Sequence, residues 1–404
     1  MSNVPEIRFE GFTAAWEQRK LEDGVKKVGD GIHGTPTYDD NGEVAFINGN
    51  NLVNGKIVIT SQTKHVNDTQ KTIHDNNLNT DTILMSINGT IGNLAWYNGE
   101  NIMLGKSAAY IKAGDFDKAF IYALLQTSGV KKFFLDNLTG TTIKNLGLKT
   151  IRETPVKSPE RAEQTAIGEF FRALDENITL NKQKLDGLKQ LKKGYLQQMF
   201  PQTRETVPKI RLKGFSEPWQ MCKLGDVAKI VGGGTPDTNT PEYWGGEIDW
   251  YTPAEIGEQF YVNDSQRKIT SLGLQKSSAV MLPVGTVLFT SRAGIGNTAI
   301  LEKAGATNQG FQSIVPNKSE LDSYFIFSKT RELKRYGEAV GAGSTFIEVS
   351  GKQMAVMPLL IPTLPEQIAI GNFFRNLDNQ IATQSQKVEQ LKQLKAAYLQ
   401  KMFV

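Results

Sequence analysis

The stretch Glu163–Ile178, EQTAIGEFFRALDENI, returns at Glu366–Ile381 as EQIAIGNFFRNLDNQI, 203 residues further along a chain of 404. Internal repeats decide architecture before local motifs do, and this one runs the length of the chain. IRFEGFTAAWEQRKLED at Ile7 recurs as IRLKGFSEPWQMCKLGD at Ile210, and LKKGYLQQMF, ending at Phe200, recurs as LKAAYLQKMF, ending at Phe403. Between these anchors the likeness thins to points: LMSINGTIGN at Leu84 answers LFTSRAGIGN at Leu288, and GTTI at Gly140 answers GSTF at Gly343. Two halves on one scaffold, carrying different surfaces, are therefore expected.

Each repeat closes on a helical pattern. Ile167, Phe170, Phe171, Leu174, Ile178, Leu185, Leu188, Leu191 and Tyr195 fall mostly three, four or seven apart, which is one apolar face of a long helix. Ile370, Phe373, Phe374, Leu377, Ile381, Val388, Leu391, Leu394 and Tyr398 repeat that face. Roughly 35 helical residues make a rod of about 50 Å. Its apolar stripe needs a partner, and the duplicate helix is the natural one. Pro159, with Pro362 or Pro365, stands near each start, and Pro201 stops the first helix. The intervening segments differ in kind. EVAFI, KIVIT, TILMSI, NLAWY, TVLFTS and TAIL are short, β-branched and bounded by Gly and Asn, so each half reads as a mixed, strand-rich globule of about 150 residues followed by a rod. The fold class is α+β, with a pseudo-twofold arrangement of two strand-rich globules and two long helices.

Composition bounds the function. At 39% hydrophobic and 22% charged residues, with no run of eighteen apolar residues, the chain reads as globular, without a spanning helix or signal peptide. The single cysteine, Cys222, fits a reducing, cytoplasmic compartment. A net charge of +4 permits nucleic-acid binding without requiring it.

Catalytic signatures are missing. GDGIHG at Gly29 has the letters of a dinucleotide fingerprint, but Pro36 follows and the aligned GGGTPD at Gly232 lacks the third glycine, so it reads as a loop. The GKS at Gly105 has Glu100 where a phosphate loop needs glycine. No Pro-Pro motif for base-amine methylation and no Gly-x-Ser-x-Gly elbow occurs. Pro236-Asp237 and Glu332-Leu333-Lys334 lie too far apart in sequence to suggest a nuclease centre, and His33, His65 and His74 lack metal-ligand spacing. No catalytic or metal-binding residue is expected.

The IRFxGF…W opening and its IRLxGF…W repeat, the PEQxAIxxFFxxLD start at Pro365 and the LKxxYLQxMF ending together resemble the DNA specificity subunits of type I restriction and modification systems. The resemblance covers the whole chain; its one departure is AEQTAIGEFFRALD at Ala162, which lacks the proline and touches helix entry only. It implies target-recognition domains at 1–160 and 204–362, joined by two long antiparallel coiled-coil spacer helices at 161–203 and 363–404. It also implies double-stranded DNA, two methyltransferase subunits and restriction/translocase subunits as partners, with no membrane. S-adenosylmethionine, ATP and Mg would belong to those partner subunits and no cofactor to this chain. Ile167, Phe171, Leu174, Ile178, Leu185 and Leu188 would pack with Ile370, Phe374, Leu377, Ile381, Val388 and Leu391. The competing classes are a catalytic methyltransferase or nuclease with duplicated recognition domains, and an interaction scaffold that never touches DNA.

Base readout calls for Arg, Lys, Asn or Gln on loops where the halves diverge within a shared frame. Arg292, facing Asn88 in the alignment, suits bidentate contact with guanine; a phosphate contact or a structural ion pair competes. Asn48, Asn50 and Asn51 suit adenine, against ordinary turn chemistry. Lys106, Ser107 and Gln309 occupy comparable positions. Thr141 and Thr142, with Ser344 and Thr345, suit a phosphate-binding loop or a structural turn. Lys182, Lys184, Lys189, Lys192 and Lys193, with Lys387, Lys392, Lys395 and Lys401, make both rods basic, either toward spacer DNA or as a solvated face that also docks a partner.

Overall fold

The computed structural model describes residues 4–202, 205–257, 259–292, 294–341 and 348–404. The chain forms two compact units, one from Met1–Lys182 with Gln386–Val404, the other from Gln183–Ser385. The sequence repeat and the compact unit are therefore different objects. Two helices of 38 residues, Arg161–Gln198 and Leu364–Lys401, each begin in one unit and end in the other. No helix among the described residues is long and apolar enough to cross a membrane.

In the first unit, strands Val25–Asp30, Ala108–Ala113, Thr82–Ser86 and Leu94–Trp96 pair in that order as an antiparallel sheet. A second sheet sets Val44–Ile47 between His65–Val66 and, in parallel, Ile102–Leu104. The short helices Lys118–Leu124 and Ser128–Asp136 follow, capped by Asp117 and Thr127, whose side-chain oxygens accept from backbone N–H groups of the first turn. Of the segment KIVIT only Lys56–Ile57 pairs as strand, because its hairpin partner is the two-residue Leu52–Val53.

The second unit repeats the plan with additions. Ala228–Gly232, Gln312–Pro316, Val287–Phe289, Thr298–Leu301 and Tyr261–Val262 form its five-stranded sheet, the last strand parallel. Trp244–Tyr251 lies between Arg267–Ile269 and, in parallel, Ala306–Thr307. Registers match across the repeat where no letter does: Glu17 pairs with Ser158 in the small N-terminal sheet, and Gln220 with Ile361 in its counterpart.

The repeated letters now have reasons. Glu163 is fully buried and held by Arg8 through two bonds of 2.7 Å; Glu366 meets Arg211 through two of 2.8 Å. The next residue, Gln164, accepts from the Asp117 N–H and donates to the Pro159 carbonyl, and Gln367 does the same with Asp322 and Pro362. A Glu-Gln pair in the helix's first turn thus ties the helix to the chain's opening motif and to the globule's own helix cap.

The helix ends are exchanged between repeats. Phe403, at the end of the second helix, packs on Trp16, Phe120 and Phe171 of the first unit. Phe200 packs on Trp219, Phe325 and Phe374 of the second. Ile7 N–H donates to the Lys401 carbonyl at 3.0 Å, and Ile210 N–H to that of Gln198 at 2.9 Å, so each opening motif satisfies a carbonyl at a helix C-terminus. Within each unit, then, the start of one long helix runs antiparallel beside the end of the other. Ion pairs mark the same symmetry: Lys395 to Asp175 at 2.5 Å in the first unit, Lys192 to Asp378 at 2.6 Å in the second. These two lysines are interhelical partners and not part of a free basic face.

Of the residues expected to pack, Ile167, Phe171, Leu185, Ile370, Phe374, Leu377, Ile381 and Val388 are buried, and Leu174, Ile178, Leu188 and Leu391 are half-buried. Leu191 and Leu394 are the exceptions on the apolar stripe, at 48% and 44% exposed.

Candidate nucleic-acid interface

Strand Val44–Ile47 runs into the turn Asn48–Asn51, and the side chains there serve the turn first. Asn51 Oδ1 accepts from the Asn48 N–H at 2.9 Å, and its amide donates to the Val58 carbonyl at 3.0 Å. Ser107 Oγ accepts from the Gly49 N–H at 2.9 Å and donates to Asn48 Oδ1 at 2.8 Å. The equivalent turn of the second unit, Thr252–Glu255, uses the same closure, with Glu255 accepting from both the N–H and the hydroxyl of Thr252. Asn48, Asn51 and Ser107 are thus engaged within the fold, while Asn50 is exposed and takes part in none of these bonds. In the second unit Ala254 occupies the corresponding place.

Beside this turn an open cleft of about 430 Å³ is lined by Asn88 and Lys106 together with Asp30, His33 and Asn145, over an apolar floor that includes Ile87 and Leu146. Asn88 donates weakly to the Lys106 carbonyl at 3.4 Å, and Lys106 is exposed. His33 is 76% exposed, with Nε2 2.9 Å from Asp30 Oδ2. Asp30, His33 and Asn145 were not marked as candidates by their sequence. His33 sits in the glycine motif GDGIHG, which has no helix after it, and whose geometry has another purpose. A Cβ at Gly31 would lie 1.9 Å from the Leu104 carbonyl oxygen, so glycine lets the strand end cross the neighbouring loop.

Thr141 and Thr142 are exposed in a turn that follows Gly140 at φ +87°, closed by the bridge between Thr139 and Asn145. Their counterparts Ser344 and Thr345 lie outside the described residues. Arg292 bridges Glu348 through the backbone and stands 3.9 Å from its carboxylate, both side chains being more than one-third exposed. The ion pair is long and solvated, and such pairs stabilise by about 0–1 kcal/mol, so Arg292 gives it up readily to a stronger acceptor. Gln309 accepts from the Thr235 hydroxyl. Among the described residues no group of three His, Cys, Asp or Glu side chains is arranged to hold a metal ion.

The model of the type I restriction modification DNA specificity domain matches the chain twice, over residues 14–190 and 216–393. The chain belongs to this family. Each match takes in one globule and most of one long helix, so the family's domain is the sequence repeat and not the compact unit. Among curated members, the type I restriction enzyme MjaIX specificity subunit of Methanocaldococcus jannaschii is 32% identical over 46% of this chain and 44% of its own length. The EcoR124I/EcoR124II specificity subunit of Escherichia coli is 24% identical over 61% of each chain. The matches thus span about half of these relatives' lengths. The structure of a type I restriction-modification S subunit from M. genitalium superposes over 99% of both chains with a TM-score of 0.69 at 16% identity, a likeness of fold. Both relatives are named as specificity subunits of type I restriction enzymes, in keeping with the matched DNA specificity domain.

Proposed function

We propose that this specificity-family chain binds double-stranded DNA and directs adenine methylation and cleavage by partner subunits to an asymmetric, bipartite target. The observation that carries the reading is the duplicated frame with unlike polar residues at its outward loops: Asn88 where the other unit has Arg292, and Lys106 where it has Gln309. A shared frame fixes where side chains are presented, while different donors and acceptors select different bases. The two half-sites should therefore differ.

The functional division we adopt is recognition by 1–160 and 204–362 and spacing by 161–203 and 363–404. A helix of 38 residues rises about 57 Å, and a rigid spacer fixes the helical phase between two reading elements. Two methyltransferase subunits bring S-adenosylmethionine, and the restriction subunits bring ATP and Mg. Arg292, Gln309, Asn88, Lys106 and Asn50 are the reading candidates; Thr141 and Thr142, exposed in their turn, are the candidates for the DNA backbone.

The test is co-expression with the cognate methyltransferase subunit, followed by mapping of methylated adenines across the host genome with each component omitted in turn. A split motif that requires both chains supports the address function. No motif, or one made by the methyltransferase alone, would return the chain to the scaffold reading.

A further inference from the structure

Backbone hydrogen bonds bring further positions of the two units into correspondence, beyond those the letters align. Ile32 N–H donates to the Leu104 carbonyl at 2.9 Å, and Gly234 N–H to that of Thr307 at 2.9 Å, which sets His33 against Thr235. Two residues past those carbonyls stand Lys106 and Gln309. Ser86 Oγ bonds the Thr90 carbonyl and accepts from Asn93 N–H; Thr290 Oγ1 bonds the Gly294 carbonyl and accepts from Asn297 N–H. That sets Asn88 against Arg292. Leu146 N–H donates to the Ile87 carbonyl at 2.9 Å and Val349 N–H to that of Ser291 at 3.0 Å, which sets Asn145 against Glu348. The isolated bridges Asn88 to Asn145 and Arg292 to Glu348 confirm the match independently.

Four equivalent positions thus carry His or Thr, Asn or Arg, Lys or Gln, and Asn or Glu. In the first unit all four line one cleft. In the second they are linked in pairs, Thr235 with Gln309 and Arg292 with Glu348. Backbone bonds hold the chain at or beside each position, and none of the eight side chains is buried. A residue kept only for packing has no reason to be identically placed, unburied and chemically different in the two copies. Base discrimination asks for all three, since the donor and acceptor pattern of a base edge is met by changing the side chain and not its position.

We infer that these four positions form a half-site code, so that His33 and Asn145 in the first unit, and Thr235 and Glu348 in the second, discriminate bases together with the residues already named. The inference rests on the DNA-recognition reading. Asp30 acts through His33, fixing the ring by its bond to Nε2 and leaving the second nitrogen for a base edge.

The experiment is the genome-wide methylation map of the complex carrying His33→Ala or Asn145→Ala, beside the unsubstituted complex and the first-half variant carrying His33→Thr, Asn88→Arg, Lys106→Gln and Asn145→Glu. Each single variant should degrade preference at one or more bases of one half-site by about ten-fold, with the other half-site and co-purification of the methyltransferase unchanged. The fourfold variant should replace that half-site's motif. If the unsubstituted complex yields its split motif and both single variants keep every base preference within about two-fold, the code is overturned and the recognition reading stands. If the unsubstituted complex yields no motif, both fall. Should either single variant fail to assemble, His33→Gln and Asn145→Ser supply the same comparison.

Discussion

Arg8 and Glu163 stand 155 residues apart and meet through two parallel N–H to carboxylate bonds, with Glu163 fully buried and Arg8 12% exposed. The same fork joins Arg211 to Glu366. Removing one member strands the other charge at the foot of a long helix. Glu163→Ala should destabilise the first unit by about 3 kcal/mol, the low end for a buried pair because Arg8 keeps some solvent. Hydrogen exchange should show the lost protection in residues of the first unit, and the Arg8→Ala, Glu163→Ala double variant should lose less than the sum of the singles.

Phe403 follows the second repeat in sequence but packs in the first unit. Phe403→Ala should therefore weaken the first unit by about 2–3 kcal/mol, since the ring is partly buried among Trp16, Phe120 and Phe171. Limited proteolysis should cut within residues 4–160 sooner, with the second unit unaffected. Faster cleavage confined to the second unit would contradict the exchanged packing.

Asp249, buried in the second unit, gives a pH dependence whose sign can be worked out. Burial pushes its carboxyl pKa up, but Lys303, Ser265 and Lys268 together outweigh burial and hold it below the usual carboxylate value. A depressed folded pKa contributes stability that is present above the unfolded value, near 3.9, and lost as pH falls through the folded one. Thermal unfolding of the second unit should therefore soften below about pH 4. Asp249→Asn should lower stability at pH 7 and flatten that acid limb.

Leu191 and Leu394 are repeat-equivalent leucines left exposed, whereas the other exposed apolar residues of the long helices, Leu180 and Ile368, answer Thr383 and Thr165 in the repeat. Twice-repeated apolar exposure fits two copies of one partner. Leu191→Asp with Leu394→Asp should weaken binding of the methyltransferase subunit at least ten-fold while leaving the melting temperature within a few degrees, read by co-purification and calorimetry.

The helix faces were legible because a 3.6-residue period is written directly in the spacing of Ile167, Phe171 and Leu174 and again in their duplicates. The roles of Glu163 and Gln164 were not, since a buried carboxylate looks like any first-turn acid until Arg8 is seen against it. Of the positions proposed here for base reading, the sequence points to half. Asn88 and Arg292, Lys106 and Gln309 sit near glycines that keep the two halves in step, whereas His33 and Asn145 lie where the likeness fades. The offset also varies, from 203 residues at the helices and between Asn145 and Glu348 to 202 between Ile32 and Gly234 and 204 between Asn88 and Arg292, so spacing alone does not pair the positions.

By itself the sequence determined the duplication, the two long helices, the strand-rich globules and the family, because periodicity and repeated motifs are properties of residue order. Only the tertiary structure decided which core each helix end enters. LKKGYLQQMF and LKAAYLQKMF are near-identical and suit either core in composition. The choice follows from length: the end of a 38-residue helix lies about 57 Å from its start, too far to return to the globule it left. Phe200 and Phe403 therefore each complete a core begun by the other repeat.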